Sequence, residues 1–218
     1  MISHLGLILD GNRRFAKSLN LSKKLGHKKG YEKIKDLITW CNEADIKELT
    51  LYVFSMQNFN RPKEEFDYLM DLARVAIKEY GENEEDIRIN FLGRLDLFPE
   101  DIKKNAKELE NKTKNNKFKL NLAFGYGGRE EIIDAVNKVL KKGLKKISEE
   151  EFEKYLYTKS EPELIIRTGG EIRTSNFLAW QSIYSEWIFT KTTWPEFTKK
   201  DFLNALNEYS KREIRRGK

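Results

Sequence analysis

Hydrophobic and polar positions divide the chain into two kinds of segment. The first kind is a short apolar run that ends in a polar or glycine-containing turn, as in Leu5–Leu9 and Glu48–Ser55. Runs of this length and continuity are typical of strands that are buried on both faces of a parallel sheet. We predict further strands at Ile87–Leu92, Lys119–Phe124, Glu163–Arg167 and Glu186–Phe189.

In the second kind, apolar residues lie three and four positions apart, which predicts helices. This spacing covers Lys28–Ala44, and Pro62 suits the first turn of a helix that continues to about Tyr80. Further helices are predicted from Pro99 to the loop Lys112–Lys117, after Arg129 to about Lys142, and over Ser148–Tyr157, Asn176–Tyr184 and Thr198–Arg212.

Strands and helices alternate along the whole chain without a repeat or a long linker. We therefore expect an α/β fold in a single domain over residues 1–218, with a mostly parallel central sheet of about six strands flanked by helices. Ligands of such sheets collect at the carboxyl ends of the strands. The polar and glycine-rich segments that fall there are Asp10–Asn12, Ser55–Arg61, Gly125–Arg129 and Arg167–Ser175.

Composition narrows the class of protein. The 41 Lys and Arg residues exceed the 35 Asp and Glu residues, and the net charge of +6 suits an anionic substrate, a nucleic acid or an anionic membrane surface. The mean hydropathy is −0.69, no apolar run approaches the ~20 residues of a membrane helix, and a signal-peptide pattern is absent. We expect a cytoplasmic protein. Cys41 is the single cysteine, which excludes an internal disulfide framework.

Missing motifs exclude several functions. The chain has no GxxxxGK[ST] loop and no GxGxxG turn, which disfavours the common nucleotide-binding folds. It has no DDxxD-type aspartate cluster, which disfavours a trans-prenyltransferase or terpene-synthase mechanism. No nucleic-acid-binding motif is present, so we expect no nucleic-acid partner.

The segment Leu5–Lys17 offers the first candidate site. Asp10-Gly11-Asn12 forms a turn after the first strand, and Arg13-Arg14 then opens a helical segment. Glycine, free helix-start amides and two guanidinium groups suit an anion such as a phosphate. A carboxylate beside a phosphate commonly shares a divalent cation, so a magnesium–phosphate site is one hypothesis. A turn in which Asp10 caps the helix and the arginines are solvated is the alternative.

The other candidates also have two interpretations. His27, just before the second helical run, suits a capping role or donation to a phosphate. Ser55–Arg61 is either a polar loop or a rim that positions a substrate. Arg167–Asn176 presents two arginines and a serine, which suit a diphosphate clamp or a surface turn. Glu186 is an acidic residue inside an aromatic run, and it is either an interface residue or a second metal ligand. The basic end, Lys211–Lys218, is a solvated tail or reaches a phosphate.

Taken together, these blocks resemble the cis-prenyltransferase (undecaprenyl diphosphate synthase) family. The similar blocks, in the order usual for the family, are HLGLILDGNRRFAK, GHKKG, FSMQNFNRP, YGGR and IRTGGEIRTSNFLAWQSIYSE. With a C-terminal Arg-x-Gly, they cover nearly the whole chain. The resemblance implies a homodimeric, magnesium-dependent α/β enzyme that condenses isopentenyl diphosphate onto an allylic diphosphate, forming a cis double bond at each step.

The resemblance also implies roles for particular residues. Asp10 and Glu186 are the implied magnesium ligands, and Asp10 assists departure of the allylic diphosphate. Asn58, with Ser55, is similar to the residues thought to organise proton removal from isopentenyl diphosphate. Arg215–Gly217 resembles a segment that crosses the dimer interface to a phosphate. The residues implied to bind the substrates are Gly11, Asn12, Arg13, Arg14, Phe15, Lys23, His27, Ser55, Met56, Gln57, Phe59, Arg61, Arg167, Arg173, Thr174 and Ser175.

The growing hydrocarbon requires a dry apolar tunnel, which the sheet and the helices carrying Ile34–Cys41 and Phe66–Ile77 are expected to line. The departures from the family pattern lie near the allylic substrate and this tunnel: Arg13, Lys23, Met56-Gln57, Phe59, Phe124 and Gly125. We expect a long-chain synthase of a glycan carrier lipid, primed by farnesyl or geranylgeranyl diphosphate and in peripheral contact with the membrane. The alternatives are a short-chain synthase and a non-catalytic partner subunit, and the presence of Asp10 argues against the latter.

Overall fold

A computed structural model describes residues 2–82 and 86–213 of the chain. Its sheet has six strands in the order β3-β4-β2-β1-β5-β6, and every neighbouring pair is parallel. The predicted parallel sheet is therefore confirmed. The strands are β1 His4–Ile8, β2 Glu48–Ser55, β3 Ile87–Leu92, β4 Phe118–Tyr126, β5 Leu164–Arg167 and β6 Glu186–Phe189.

Helices connect the strands and cover the sheet. The α-helices are α1 Asn12–Ser18, α2 Lys23–Glu43, α3 Lys63–Glu82, α4 Glu100–Thr113, α5 Gly128–Lys141, α6 Glu149–Phe152 and α7 Lys199–Ser210. Short 3-10 helices occupy Met56–Asn60, Leu95–Leu97, Glu153–Tyr155 and Trp194–Glu196. Helices α6 and α7 are capped, because the Ser148 and Thr198 side chains each accept a hydrogen bond from a backbone amide of the following helix.

Two apolar clusters lie on opposite faces of the sheet. In the larger one, alternate strand residues such as Leu5, Leu7 and Leu49 pack against helices α2, α3, α4 and α7. The smaller one contains Tyr52, Tyr126 and Phe177, among others. Cys41 is buried in the larger cluster, as predicted. Among the described residues, no helix combines the length and the apolar character that crossing a bilayer requires.

The structure corrects three predicted elements. Helix α2 begins at Lys23, so His27 lies inside it and not before it. Strand β4 continues through Tyr126, with Gly125 in a left-handed conformation at φ 62°. Residues 176–184 are turns and not a helix. Their start requires left-handed backbone, because Ser175, Asn176 and Leu178 have φ values of 50°, 64° and 46°.

Candidate active site

Asp10 lies at the carboxyl edge of the sheet, two residues after the end of β1. Its carboxylate joins two elements, because Oδ1 is 2.8 Å from Arg14 Nη2 on α1 and Oδ2 is 2.9 Å from Arg167 Nη2 at the end of β5. The Asp10 carbonyl accepts a 2.7 Å hydrogen bond from Thr168 Oγ1. Burial opposes ionisation of Asp10, but the hydrogen bonds from Arg167 and Arg14 prevail and hold its pKa below the usual value. Asp10 is therefore an ionised carboxylate.

Gly11 allows the turn that follows Asp10. Its φ is 111°, a conformation that favours glycine, and a Cβ there would lie 2.7 Å from Thr193 Cβ. Helix α1 then starts at Asn12, with Arg13 and Arg14 exposed in its first turn and Phe15 partly buried. This first turn carries no acidic residue. Helix-start amides and two guanidinium groups in a turn without an acidic residue suit the binding of an anion.

The segment after β5 forms a second cationic group beside the first. Buried Arg167 donates from Nη1 to Ser175 Oγ at 2.6 Å and to the Arg173 carbonyl at 2.5 Å. Glu171 links the two groups, because its Oε2 is 2.6 Å from Arg173 Nη1 and its Oε1 is 3.4 Å from Arg14 Nη1. Thr174 is exposed. Four predicted residues, Asp10, Arg14, Arg167 and Arg173, are thus held in one network of hydrogen bonds and ion pairs.

Helix α2 packs closely against α1 because of two glycines that the sequence interpretation did not use. A Cβ at Gly26 would lie 2.3 Å from the Asn12 carbonyl oxygen, and a Cβ at Gly30 would lie 2.3 Å from Asn12 Oδ1. Asn12 Oδ1 is buried and has no hydrogen-bond partner in the structure. A spacing of four residues places both glycines on one face of α2. This spacing is the sequence feature from which the close packing of α1 on α2 could have been predicted.

Glu65 on α3 is a second residue that the sequence interpretation missed. Its buried Oε1 is 2.8 Å from Arg61 Nη1 and 3.2 Å from His27 Nε2. Arg13 and Lys23 each have a nitrogen 3.9 Å from the same carboxylate. One buried acid therefore holds four predicted phosphate-binding residues together. Arg61 directly precedes the predicted helix and lies four residues before Glu65, a spacing from which this pair could have been predicted.

The environment of His27 favours its neutral form. Burial lowers the pKa of His27, and the Arg61 and Arg13 guanidinium groups lower it further, whereas Glu65 partly offsets the effect. A neutral imidazole still donates one hydrogen bond, to a carboxylate or to a phosphate oxygen.

Ser55 and Asn58 form a reciprocal cap at the end of β2. The Ser55 side chain accepts from the Asn58 amide, and Asn58 Oδ1 accepts from the Ser55 amide at 3.0 Å. This arrangement orders the 3-10 helix Met56–Asn60, in which Gln57 is exposed. Phe59 is directed into a cluster of aromatic rings, where its centroid lies 5.0 Å from Phe54. The structure therefore places Phe59 against the apolar core.

An apolar cavity of about 140 Å³ begins beside these polar groups. Asn12 and His27 lie at its polar end, and the sheet, α2 and α3 form its walls. The predicted wall helices do line it, through Ile34 on α2 and Leu69 on α3, among others. The lining residues are Leu9, Asn12, His27, Gly30, Tyr31, Ile34, Tyr52, Val53, Phe54, Leu69, Leu72, Ala73, Ala76, Ile77, Tyr80, Phe91, Leu109, Leu122, Phe124 and Trp194.

The structure separates Glu186 from Asp10. Glu186 is level with Leu164 and Leu5 in the sheet, at the amino ends of the strands. Asp10 lies two residues beyond the end of β1, and the three residues from Leu5 to Ile8 alone span about 10 Å at about 3.3 Å per residue. Glu186 instead binds Arg212, with 2.6 Å between Oε2 and Nη1. The parallel register therefore separates the two carboxylates within a single chain, and the role of Glu186 as a second magnesium ligand stays a prediction.

A protein-only metal cage is not formed by the residues that the structure describes, since no group of three or more His, Cys, Asp or Glu side chains could hold an ion. Asp10 supplies one ionised carboxylate beside several cations that suit phosphate oxygens. Magnesium is commonly bound by one or two carboxylates together with substrate phosphates and water. The residues therefore fit a magnesium ion that arrives with a diphosphate. Arg215–Gly217, predicted to cross a dimer interface, lie outside the described residues.

Known proteins resemble this chain over almost its full length. The family model described as "Putative undecaprenyl diphosphate synthase" matches residues 8–217. An isoprenyl transferase of Thermotoga maritima is 47% identical over 98% of this chain and 96% of its own length. A tritrans,polycis-undecaprenyl-diphosphate synthase (geranylgeranyl-diphosphate specific) of Thermoplasma acidophilum is 43% identical over 99% of this chain and 88% of its own length.

Solved structures share the fold. Lavandulyl diphosphate synthase from Lavandula x intermedia, crystallised with dimethylallyl diphosphate, superposes with a TM-score of 0.91 at 35% identity, covering 100% of this chain and 98% of that one. A probable undecaprenyl diphosphate synthase from Campylobacter jejuni gives 0.86 at 32% identity, with coverage of 100% and 99%. This chain therefore belongs to the undecaprenyl diphosphate synthase family of cis-prenyltransferases and is a prenyltransferase.

Proposed function

We propose that the protein is a magnesium-dependent cis-polyprenyl diphosphate synthase. It extends an allylic diphosphate, farnesyl or geranylgeranyl, with isopentenyl diphosphate units to make a long-chain glycan carrier lipid such as undecaprenyl diphosphate. The observation that carries this proposal is the apolar cavity that begins at a cluster of arginines, because the substrate of such an enzyme has a diphosphate head and a hydrocarbon tail.

The reaction joins two diphosphates. The C4 carbon of isopentenyl diphosphate bonds to C1 of the allylic substrate, the C1–oxygen bond breaks, and diphosphate leaves with the bonding electrons. A proton then leaves C2, and its electrons form the new double bond. Negative charge grows on the departing diphosphate, so fixed cations aimed at it lower the barrier. Magnesium, when bound, adds charge neutralisation at this leaving group.

The two groups of residues suit the two substrates. In our proposal Asp10 would hold magnesium, and Gly11, Asn12 and α1 would hold the allylic diphosphate together with the cations around Glu65. Arg167, Arg173 and Ser175, with Thr174, would hold isopentenyl diphosphate. Asn58 and Ser55 would organise proton removal. The residues of the allylic group are Gly11, Asn12, Arg13, Arg14, Phe15, Lys23, His27, Met56, Gln57, Phe59 and Arg61.

The lining of the cavity suits a hydrocarbon ligand. Most of the side chains around its volume of about 140 Å³ are apolar, and its few polar groups include Asn12 and His27 beside the arginines. Binding pockets for small molecules commonly combine an apolar lining with a few placed polar groups. We propose that the cavity is the start of the predicted tunnel.

We further propose a homodimer that contacts the membrane peripherally, in the cytoplasm. Apolar side chains lie exposed on one side of α5, at Ile133 and Leu140, and in the segment before β6, at Ile183 and Tyr184. Exposed apolar surface of this kind is common at interfaces between subunits. Sedimentation of the full chain would measure its oligomeric state.

The direct test incubates the protein with radiolabelled isopentenyl diphosphate, magnesium and one of three primers: geranyl, farnesyl or geranylgeranyl diphosphate. The products are dephosphorylated and sized by chromatography. We expect a ladder that ends in a long polyprenol, and omission of magnesium should abolish it. A folded protein that forms no product with any primer would contradict the proposal and favour a non-catalytic subunit.

A short-chain synthase is the second candidate, and one observation favours it. Phe124 lines the cavity and stacks on Phe98, with ring centroids 4.0 Å apart. Gly125 makes room for this stack, since a Cβ there would lie 2.6 Å from Phe98 Cε2. The rings occupy space that a longer hydrocarbon would need. A single short product in the sizing experiment would select this function.

A further inference from the structure

Helices α2 and α3 are bridged by polar side chains at two levels, one on each side of the cavity. The upper bridge lies near the phosphate-binding residues and pairs His27 with Glu65 at 3.2 Å. The lower bridge is formed by Tyr31, Lys35 and Glu79. Its Glu79 Oε2 accepts from the Tyr31 hydroxyl at 2.5 Å and lies 3.1 Å from Lys35 Nζ.

Between the two bridges, the cavity separates the helices. Two small residues of α3, Ala73 and Ala76, line it at this level, together with larger apolar side chains such as Ile34 on α2 and Leu72 on α3. Interlocking side chains do not fill the space that the cavity occupies. The lower bridge is therefore a direct contact that opposes further separation of the two helices.

Tyr31 stands between the cavity and the solvent. Its half-buried ring lines the cavity, whereas Glu79 and Lys35 are exposed. Burial and the Glu79 carboxylate raise the pKa of the Tyr31 hydroxyl, which keeps its proton available for the bond to Glu79. Breaking this bond removes the polar contact that holds the Tyr31 ring to α3.

We propose that the Tyr31–Glu79 pair, supported by Lys35, sets the product length by closing the gap between α2 and α3. This inference rests on the proposed function. A hydrocarbon that has filled the cavity grows further only if the gap widens, and the lower bridge opposes that widening. Among the described residues, neither Tyr31 nor Glu79 makes a hydrogen bond or ion pair with a phosphate-binding residue, so the pair acts on elongation and not on the chemistry of a single condensation.

The test compares product lengths of four variants with the wild-type protein. Tyr31→Phe removes the hydroxyl and keeps the ring, and Glu79→Ala removes the acceptor. Both should shift the main product by at least one isoprene unit to greater length. Glu79→Gln keeps an oxygen that accepts from Tyr31 and should stay close to the wild-type length. Lys78→Ala is the matched control, because it breaks a surface pair with Glu82 inside α3 alone.

A second measurement separates this role from general loosening of the fold. The rate of the first condensation and the KM for the primer should change less than twofold in Glu79→Ala, Glu79→Gln and Lys78→Ala, whose side chains do not line the cavity. Wild-type product lengths in Tyr31→Phe and Glu79→Ala would overturn the inference, and so would an equal shift in Lys78→Ala. If the wild-type protein makes no product, the proposed function fails; if it makes products and the variants match it, this inference alone fails.

Discussion

Two guanidinium groups from different elements meet at one carboxylate. Asp10 pairs with Arg14 on α1 and with Arg167 at the end of β5, so the first and fifth strands share a charged contact. Arg167 is only 4% exposed, and it also donates to Ser175. Because a buried charge without a partner is costly, each of these groups depends on the others for its orientation.

Replacing Asp10 tests the carboxylate. Asp10→Ala should leave a folded protein that loses about 100-fold or more in turnover, since the magnesium ion that would neutralise the departing diphosphate loses its carboxylate ligand. Initial rates with magnesium measure the effect, and circular dichroism checks the fold. Asp101→Ala, which removes a surface acid paired with Arg74, is the matched control. Near-normal magnesium-dependent turnover in Asp10→Ala would refute the assigned role.

Replacing Arg167 separates the two substrate groups. Arg167→Ala should raise the KM for isopentenyl diphosphate by about tenfold or more, the loss typical of a hydrogen bond to a charged group, and raise the primer KM less. Steady-state kinetics with each substrate varied in turn measures both constants. Arg88→Ala, on an exposed position of β3, should change neither. An equal rise in both constants would show that Arg167 does not belong to the isopentenyl diphosphate group.

At the level of elements, the packing of α1 on α2 depends on the absence of side chains. A Cβ at Gly30 would lie 2.3 Å from Asn12 Oδ1 and 2.9 Å from Trp194 Cδ1. Asn12 begins α1, and Trp194 Nε1 donates to the Gly30 carbonyl at 2.7 Å. The first turn of α1, which carries the arginines, is therefore positioned by this glycine.

Gly30→Ala should accordingly destabilise the protein by about 1–3 kcal/mol, the usual cost of overpacking. The free energy of unfolding in denaturant measures it. Gly81→Ala in α3 is the matched control, since the nearest atom to a Cβ there, Leu109 Cδ1, is 3.9 Å away. That change should be neutral or stabilising by roughly 0.5–1 kcal/mol. A Gly30→Ala protein as stable as the control would show that α1 can shift without cost.

The bounds of a helix or strand could be predicted where the residues inside that element and next to it mark its ends. The bounds of β2 and β3 match the predicted segments, because continuous apolar runs end abruptly in polar residues. The start of α2 was missed because Lys23–Lys29 is mostly polar and shows no apolar period. The turns over 176–184 were missed because left-handed residues are imposed by the packing of buried Phe177 and Leu178.

At the scale of the whole molecule, both histidines make the folded protein less stable as the pH falls. His4 and His27 are buried in separate regions of the fold, and burial lowers the pKa of each. The unfolded chain then binds protons near pH 6.5 that the folded chain does not bind. Their contribution to stability is therefore fully present above about pH 7 and is lost as the pH falls below about 6.5.

The wild-type free energy of unfolding should fall between about pH 7.5 and about pH 5.5. His4→Gln and His27→Gln should each flatten this slope, whatever their effect on absolute stability, because each removes one group that takes up a proton on unfolding. Denaturant titrations across the pH range measure the slope. Lys24→Gln, on the surface of α2, should keep the wild-type slope. Unchanged slopes in both histidine variants would contradict the assignment.

The sequence by itself was sufficient to predict the parallel α/β fold, to identify the family, and to name the residues that surround Asp10. Apolar runs and periodic spacing specify elements locally, and the parallel direction of the strands brings their carboxyl ends together. Folding alone decided that Glu65 holds three cations and a histidine, that Glu186 lies level with Leu5, and that Tyr31 meets Glu79. These contacts join side chains from separate elements, and their geometry depends on helix packing and strand register, which no local pattern encodes.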